Sequence, residues 1–245
     1  MTNAILMASG LGTRMRPLTE NRPKPLIKVH GEPMIESILK SLQAANVRDI
    51  YVVVGYLAEQ FEYLKDKYPN ITLIHNPDYN SANNISSIYY AAEFMKQDDC
   101  FVCEADLYIP DPNILMPIPT FSGYYGKMIR GRSDDWVFDI NSRGYITRVG
   151  KNGNNCYNMT GISFFKKKEA AYIAEKIQEK YAKSLDRNLF WDEVVNENLS
   201  SLALKVLPIG KEKIIEIDTV DELNSVNANN KIRPIKRMTG RGRGL

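Results

Sequence analysis

The chain has 245 residues, 44% of them hydrophobic, which is enough to bury one large core. No apolar run approaches the roughly 18 residues of a membrane span, and the sequence opens into a strand without a charged leader, so no membrane span, no secretory signal and a cytoplasmic location are expected. The net charge of +3 comes from the last fifteen residues: Lys231 to Leu245 holds six basic residues and no acid, so the body is slightly acidic and no nucleic acid is expected as a partner.

In chain order, Ala4 to Met7 is a short apolar run that predicts a buried strand, entering a turn with Gly10 and Gly12. Ile35, Ile38, Leu39 and Leu42 follow helical spacing, and Asp49 to Val54 is a β-branched strand ending at Gly55. Leu57, Phe61 and Leu64 predict a helix, Ile71 to Ile74 a third strand, Ser86 to Met95 a helix and Cys100 to Cys103 a fourth strand. This alternation predicts an α/β fold of Rossmann-like type, a mainly parallel sheet flanked by helices with ligands at the carboxyl ends of its strands.

The middle differs. Gly123 to Ile129, Trp136 to Ile140 and Tyr145 to Val149, with a turn at Asn141 to Gly144, predict a small antiparallel insert over the site. Tyr157 to Phe165 returns as a strand, helices follow at Lys166 to Lys183 and Leu189 to Asn198, strands at Leu202 to Leu207 and Ile214 to Ile217, and a last helix at Thr219 to Ala228. One domain over 1–230 is expected, with 231–245 as a basic, disordered tail. Cys100 and Cys103 make a C-x-x-C, but the chain has only three cysteines and two histidines, so both are expected to be strand residues rather than ligands of zinc.

The glycine turn carries the chemistry. Gly10 and Gly12 are followed by Arg14, Arg16 and Lys24, so backbone N–H groups can approach an anion while cations bind the same oxygens. It is not a P-loop, because Thr13-Arg14 follows Gly12, nor a dinucleotide fingerprint, because Met15 stands where a third glycine is needed.

Asp106 and Asp218 each end a predicted strand at the sheet's carboxyl edge. Two such carboxylates can hold Mg²⁺; the competing reading makes Asp106 a turn cap and Asp218 a helix N-cap. Asn84 and Ser87 precede a helix and can read a base edge or simply cap that helix. The two tryptophans, Trp136 and Trp191, with Phe190, Asp192 and Glu216, can cage an ammonium group or belong to the core. Arg130 is a candidate for an acceptor phosphate.

Gly-x-Gly-x-Arg-x-Arg-Pro from Gly10 to Pro17, followed by Pro23-Lys24-Pro25-Leu26, resembles the signature of nucleotidyltransferases that activate sugar phosphates and related phosphorylated alcohols. The run from Val53 to Lys65, the Trp136 region, Trp191-Asp192 and Glu216-Ile217-Asp218 are similar to bacterial CTP:phosphocholine cytidylyltransferases, over about residues 3 to 228. Phe190 stands where that family is expected to carry tyrosine, and Arg148 to Lys151 replaces the Glu-Lys-Pro of its sugar-specific members.

The resemblance implies CTP and phosphocholine as substrates, CDP-choline and pyrophosphate as products, and Mg²⁺ on Asp106 and Asp218. It also implies phosphate handling by Arg14 and Lys24, and nucleotide contacts from Ala8, Ser9, Gly10, Gly12, Thr13, Arg14, Asn84 and Ser87. The alternatives are a sugar-1-phosphate nucleotidyltransferase using UTP or dTTP, and a non-catalytic nucleotide-binding or regulatory domain of a longer protein.

Overall fold

A computed structural model describes residues 1–183 and 186–229, so the basic segment 231–245 lies outside the described residues. The first half runs β1 (Thr2–Ala8), β2 (Lys28–Val29), β3 (Glu32–Pro33), α1 (Met34–Ala44), β4 (Asp49–Val54), α2 (Tyr63–Lys67), β5 (Ile71–His75), α3 (Ile85–Met95), β6 (Asp99–Glu104) and β7 (Leu107–Tyr108). The second half runs β8 (Gly123–Met128), β9 (Arg132–Ile140), β10 (Ile146–Asn154), β11 (Tyr157–Phe165), α4 (Lys167–Tyr181), α5 (Trp191–Glu197), β12 (Lys205–Pro208), β13 (Ile215–Glu216) and α6 (Val220–Ala228).

Strand alternation explains the layering. Ala4, Leu6 and Ala8 of β1 pack on one side with Ile35, Ile38 and Leu39 of α1, whereas Ile5 packs on the other with Ile88 of α3 and Ile173 of α4. A strand apolar on both faces belongs inside a parallel sheet covered by helices, and β1 pairs in parallel with both β4 and β6. Cys100 and Cys103 obey the same alternation. Each is a fully buried free thiol, and they lie in the cores on opposite faces of the sheet.

The main sheet has the order β10-β9-β11-β6-β1-β4-β5, with β8 pairing β11 and β12. The antiparallel strands are thus continuous with the parallel ones, because β11 pairs antiparallel with β6. β9 begins at Arg132, four residues before the predicted Trp136, and β10 continues to Asn154. The helix predicted across Leu57 to Leu64 is a 3₁₀ turn (Ala58–Phe61) and the short α2, since Leu57 itself takes a left-handed φ of 48°. Connections leave β1 toward β4 and reach β6 from β5, on opposite sides of β1, so the order reverses between β1 and β6. That crevice at the carboxyl edge is where a fold of this type binds ligands.

Candidate active site

A two-residue ladder assembles the charged centre. Antiparallel pairing of β13 with β7 sets Ile215 opposite Tyr108 and Glu216 opposite Leu107, and the Ile217 N–H donates to the Asp106 carbonyl at 3.4 Å. Asp106 and Asp218, 112 positions apart in sequence, therefore meet at one point, the Lys24 ammonium, at 2.6 Å each. Arg14 closes the cluster with two 2.7 Å bonds to Asp218. Thr219, not Asp218, caps α6: its hydroxyl accepts from the Glu222 N–H at 3.2 Å, and Glu222 accepts in return from the backbone N–H of Asp218 and Thr219. The Asp218 side chain is thereby released from the capping role and turned to the cations.

Burial alone would lower the Lys24 pKa, but the two carboxylates outweigh it and raise it. Burial likewise opposes the Asp218 charge, yet Lys24 and Arg14 hold its pKa below the ordinary value. Asp106 Oδ1 is buried without a hydrogen-bond partner. Among the described residues no three His, Cys, Asp or Glu converge as a metal cage. Two carboxylates with an unsatisfied oxygen nonetheless suit Mg²⁺, which takes one or two carboxylates and completes its shell with phosphate oxygens and water.

The glycine turn is shaped by this cluster. Gly12 has φ 60°, and a Cβ there would come 2.9 Å from the Lys24 Cβ. Its carbonyl accepts from the Thr19 hydroxyl at 2.8 Å. On the other side, Ser9 and Ser87 share a hydrogen bond of 2.9 Å, and the Asn76 amide donates to Ser86 at 2.9 Å and to Ser9 at 3.3 Å. This buried network ties the end of β1 to the start of α3, beside a cavity of about 570 Å³. Ser9, Gly10, Arg14, Asn84 and Ser87 line that cavity with Asp106 and Asp218, whereas Ala8, Gly12, Thr13 and Lys24 are not on its lining. Asn84 does double duty, since its Oδ1 accepts from the Trp191 N–H at 3.0 Å and so caps α5 rather than its own helix.

At the far end the wall is made by Trp136, Phe190, Asp192, Glu216, Glu104 and Asp135. The Trp136 and Phe190 rings meet edge to face at 5.4 Å. Trp191 is not part of this wall. It is 3% exposed, stacks on Tyr124 at 5.8 Å and meets Phe165 edge-on at 6.1 Å, so its place is the core. Arg130 also lies elsewhere: it is exposed in the loop between β8 and β9 and does not line the cavity.

Carboxylates crowd this end. Burial and then Asp106 and Glu216 push the Glu104 pKa well above its usual range. Burial, then Asp106 and Asp218, push Glu216 up to about 7, and burial pushes Asp192 up to about 7. The site is therefore short of positive charge.

Sequence reasoning missed Glu104, Asn76, Tyr79, Asp135 and Lys151. Glu104 was readable, because it precedes Asp106 by two residues and so shares its side of the chain. Gly161, at φ 77°, makes room for it, since a Cβ there would approach the Glu104 Oε2 to 2.9 Å. Asn76, by contrast, is an ordinary polar residue after a strand until the fold sets Ser9 and Ser86 around it.

Known proteins are similar to this chain in sequence and fold. The family described as MobA-like NTP transferase domain matches residues 4–118. A 2-aminoethylphosphonate cytidylyltransferase of Lancefieldella rimae is 47% identical, over 91% of this chain and 90% of its own. A choline-phosphate cytidylyltransferase of Haemophilus influenzae is 33% identical, over 91% and 95%. The solved CTP:phosphocholine cytidylyltransferase of Streptococcus pneumoniae superposes with a TM-score of 0.86 at 32% identity, covering 93% of this chain and 98% of that one.

Proposed function

The chain belongs to the nucleotidyltransferase family with a MobA-like domain, among its cytidylyltransferases, and from that premise we propose that it transfers a cytidylyl group from CTP to a small acceptor with a phosphonate or phosphate at one end and an ammonium at the other. 2-Aminoethylphosphonate fits this pocket best. The observation that carries the choice is Asp192: a carboxylate 3% exposed, on the cavity wall, with Oδ1 lacking any hydrogen-bond partner. A primary ammonium has three N–H donors to offer the Asp192 carboxylate, whereas a trimethylammonium has none. Phosphocholine is the second reading, favoured by the Trp136 and Phe190 rings, whose faces attract a quaternary ammonium. The relatives divide in the same way, and the more similar of those named acts on the phosphonate.

The chemistry needs no general base. A phosphonate oxygen, already an anion, attacks the α-phosphorus of CTP in line; the new P–O bond forms as the bond to the β-phosphate oxygen breaks, and pyrophosphate leaves with the electron pair. The protein's part is positioning and charge neutralisation. Arg14 and Lys24 bind the phosphate oxygens, exchanging their present carboxylate partners for the nucleotide. Asp106 and Asp218 would hold Mg²⁺, which supplies charge neutralisation at the phosphates when bound. The Ser9, Ser87 and Asn84 edge takes the nucleoside, and Asp192 with Glu216 orients the ammonium.

The test is kcat/KM for pyrophosphate release from CTP with each acceptor separately. A preference for 2-aminoethylphosphonate of tenfold or more over phosphocholine supports the reading. The reverse preference moves the assignment to the aromatic pair.

A further inference from the structure

Trp136 and Phe190 favour a quaternary ammonium only where their faces are free to receive a cation, and the Phe190 ring already has one. Lys151 Nζ lies 5.9 Å from the centre of that ring, within the range of a cation–π contact. On β10, Lys151 pairs directly with Trp136 of β9, which sets the two side chains on the same face of the sheet, and Trp136 in turn meets Phe190 at 5.4 Å. Trp136, Phe190 and Lys151 border both the acceptor cavity and an adjacent groove of about 740 Å³, so together they make the partition between the two.

The backbone under this lysine is held in place. The Arg148 guanidinium donates to the Lys151 carbonyl at 3.1 Å and to the Asn152 carbonyl at 2.9 Å, while Asp139 fixes the same guanidinium through bonds of 2.6 and 3.1 Å. Gly150 leaves room for this clamp, since a Cβ there would come 3.0 Å from Arg148 Nη1. The carboxylates of β9 have other partners: Asp134 meets Arg132 at 2.8 Å, Asp135 accepts from the Trp136 N–H at 2.9 Å, and Asp139 holds Arg148. The Phe190 ring is what the Lys151 ammonium meets.

We propose that Lys151 is a specificity residue of the acceptor pocket: by holding its own ammonium against Phe190, it turns away a trimethylammonium group and so favours an acceptor whose amine is bound by carboxylates. This deepens the aminophosphonate reading and rests on it. A trimethylammonium has no N–H to donate and relies on ring faces. At Phe190 it must displace Lys151 or share the ring with a like charge, and either loses the attraction that the ring would supply. A primary ammonium is directed by its N–H groups toward Asp192 and Glu216 and depends less on the ring. Both acceptors carry an anionic end, so the pull of Lys151 on that end cancels when the two are compared. A ring-face attraction of the usual strength corresponds to about threefold to thirtyfold in affinity.

The experiment has two arms. The first measures kcat/KM for 2-aminoethylphosphonate and for phosphocholine in the parent, Lys151→Met, Lys151→Arg, Phe190→Leu, and Lys151→Met combined with Phe190→Leu. Lys151→Met is expected to move the ratio toward phosphocholine by about threefold to thirtyfold, and Lys151→Arg, which keeps a cation that packs on rings, to leave it near the parent value. Without the Phe190 ring, Lys151→Met should change the ratio by no more than about twofold. The second arm titrates tetramethylammonium into ligand-free protein and follows the Trp136 indole N–H by NMR. Lys151→Met should bind this cation about threefold or more tighter than the parent, and the gain should vanish when Phe190 is leucine.

An unchanged ratio with an unchanged tetramethylammonium affinity in Lys151→Met would overturn the proposal. So would an equal shift with and without the ring, which is what a general loss of positive charge produces. If no amine-bearing acceptor is turned over, the functional reading falls, and the tetramethylammonium arm still decides the role of Lys151.

Discussion

Lys24→Met removes the one cation placed between Asp106 and Asp218 while keeping most of the aliphatic stem. The lysine side chain is 8% exposed and the carboxylates 24% and 20%. Deleting one partner of a buried ion pair costs ~3–5 kcal/mol; here the carboxylates keep some water and Arg14 still holds Asp218, so about 2–3 kcal/mol is expected. For a chain of this length that lowers Tm by roughly 4–12 °C. The pH dependence has a definite sign. Asp218 has a depressed pKa, so its share is complete above the ordinary carboxylate range and lost only as pH falls through the folded value; the raised pKa of Lys24 makes its share complete below the unfolded value and lost only above the folded one. The Asp218 and Lys24 shares of the Tm gap should therefore be constant between about pH 6 and 9, and the slope within that window should come from Glu216, which is pushed up to about 7 and which Lys24 holds down. Activity should fall about 100- to 1,000-fold in kcat, as for removal of a donor aimed at developing charge. Adding Asp218→Asn relieves the facing carboxylates, so Tm should recover while activity does not. Calorimetry and pyrophosphate release on the two variants check this. If the double variant were no more stable than the single, or if Lys24→Met kept activity within about tenfold of the parent, the reasoning from charge would be refuted.

Other expectations separate stability from function. Trp191→Ala should destabilise by ~3–5 kcal/mol in a denaturant titration, because its ring is core, whereas Trp136→Ala should leave stability nearly unchanged and raise the acceptor KM about threefold to thirtyfold. Asp192 carries a raised pKa, so its ionisation costs folding energy as pH rises through the ordinary carboxylate range to about 7; Asp192→Asn should raise Tm at pH 8, by an amount equivalent to roughly 2–4 kcal/mol, with little change at low pH and with weaker acceptor binding. Gly12→Ala places a Cβ against Lys24 in a left-handed backbone position and should lower kcat/KM for CTP by more than tenfold, measured at saturating acceptor; a near-normal value would show that the turn can shift without cost.

Much of this was readable from residue types at strand ends. Gly10, Gly12, Arg14 and Lys24 form an anion cradle wherever the fold puts them, and Asp106 and Asp218 each follow an apolar strand, so their convergence was expected once the strands shared an edge. The short β7 and β13 that bring it about were not readable in full, because two-residue ladders have no periodicity. The start of β9 was hidden for a related reason: Arg132-Ser133-Asp134-Asp135 lacks strand propensity, and pairing with β10 imposes the extended form. Phe190 and Trp191 show a further limit. Phe190 has an extended backbone before the helix, while Trp191 begins α5, so adjacent aromatics diverge, one to the cavity and the other to Tyr124. Sequence left the cage and the core both open for Trp191, because it cannot see where a short helix starts.

The most direct test of the central claim is a single competition, followed by ³¹P NMR, in which the enzyme receives CTP and UTP with equimolar 2-aminoethylphosphonate, phosphocholine and glucose-1-phosphate in the presence of Mg²⁺. The cytidylyl adduct of an amine-bearing acceptor is expected to form first, with 2-aminoethylphosphonate consumed ahead of phosphocholine. Formation of a nucleotide sugar, with both amine-bearing acceptors untouched, would contradict it.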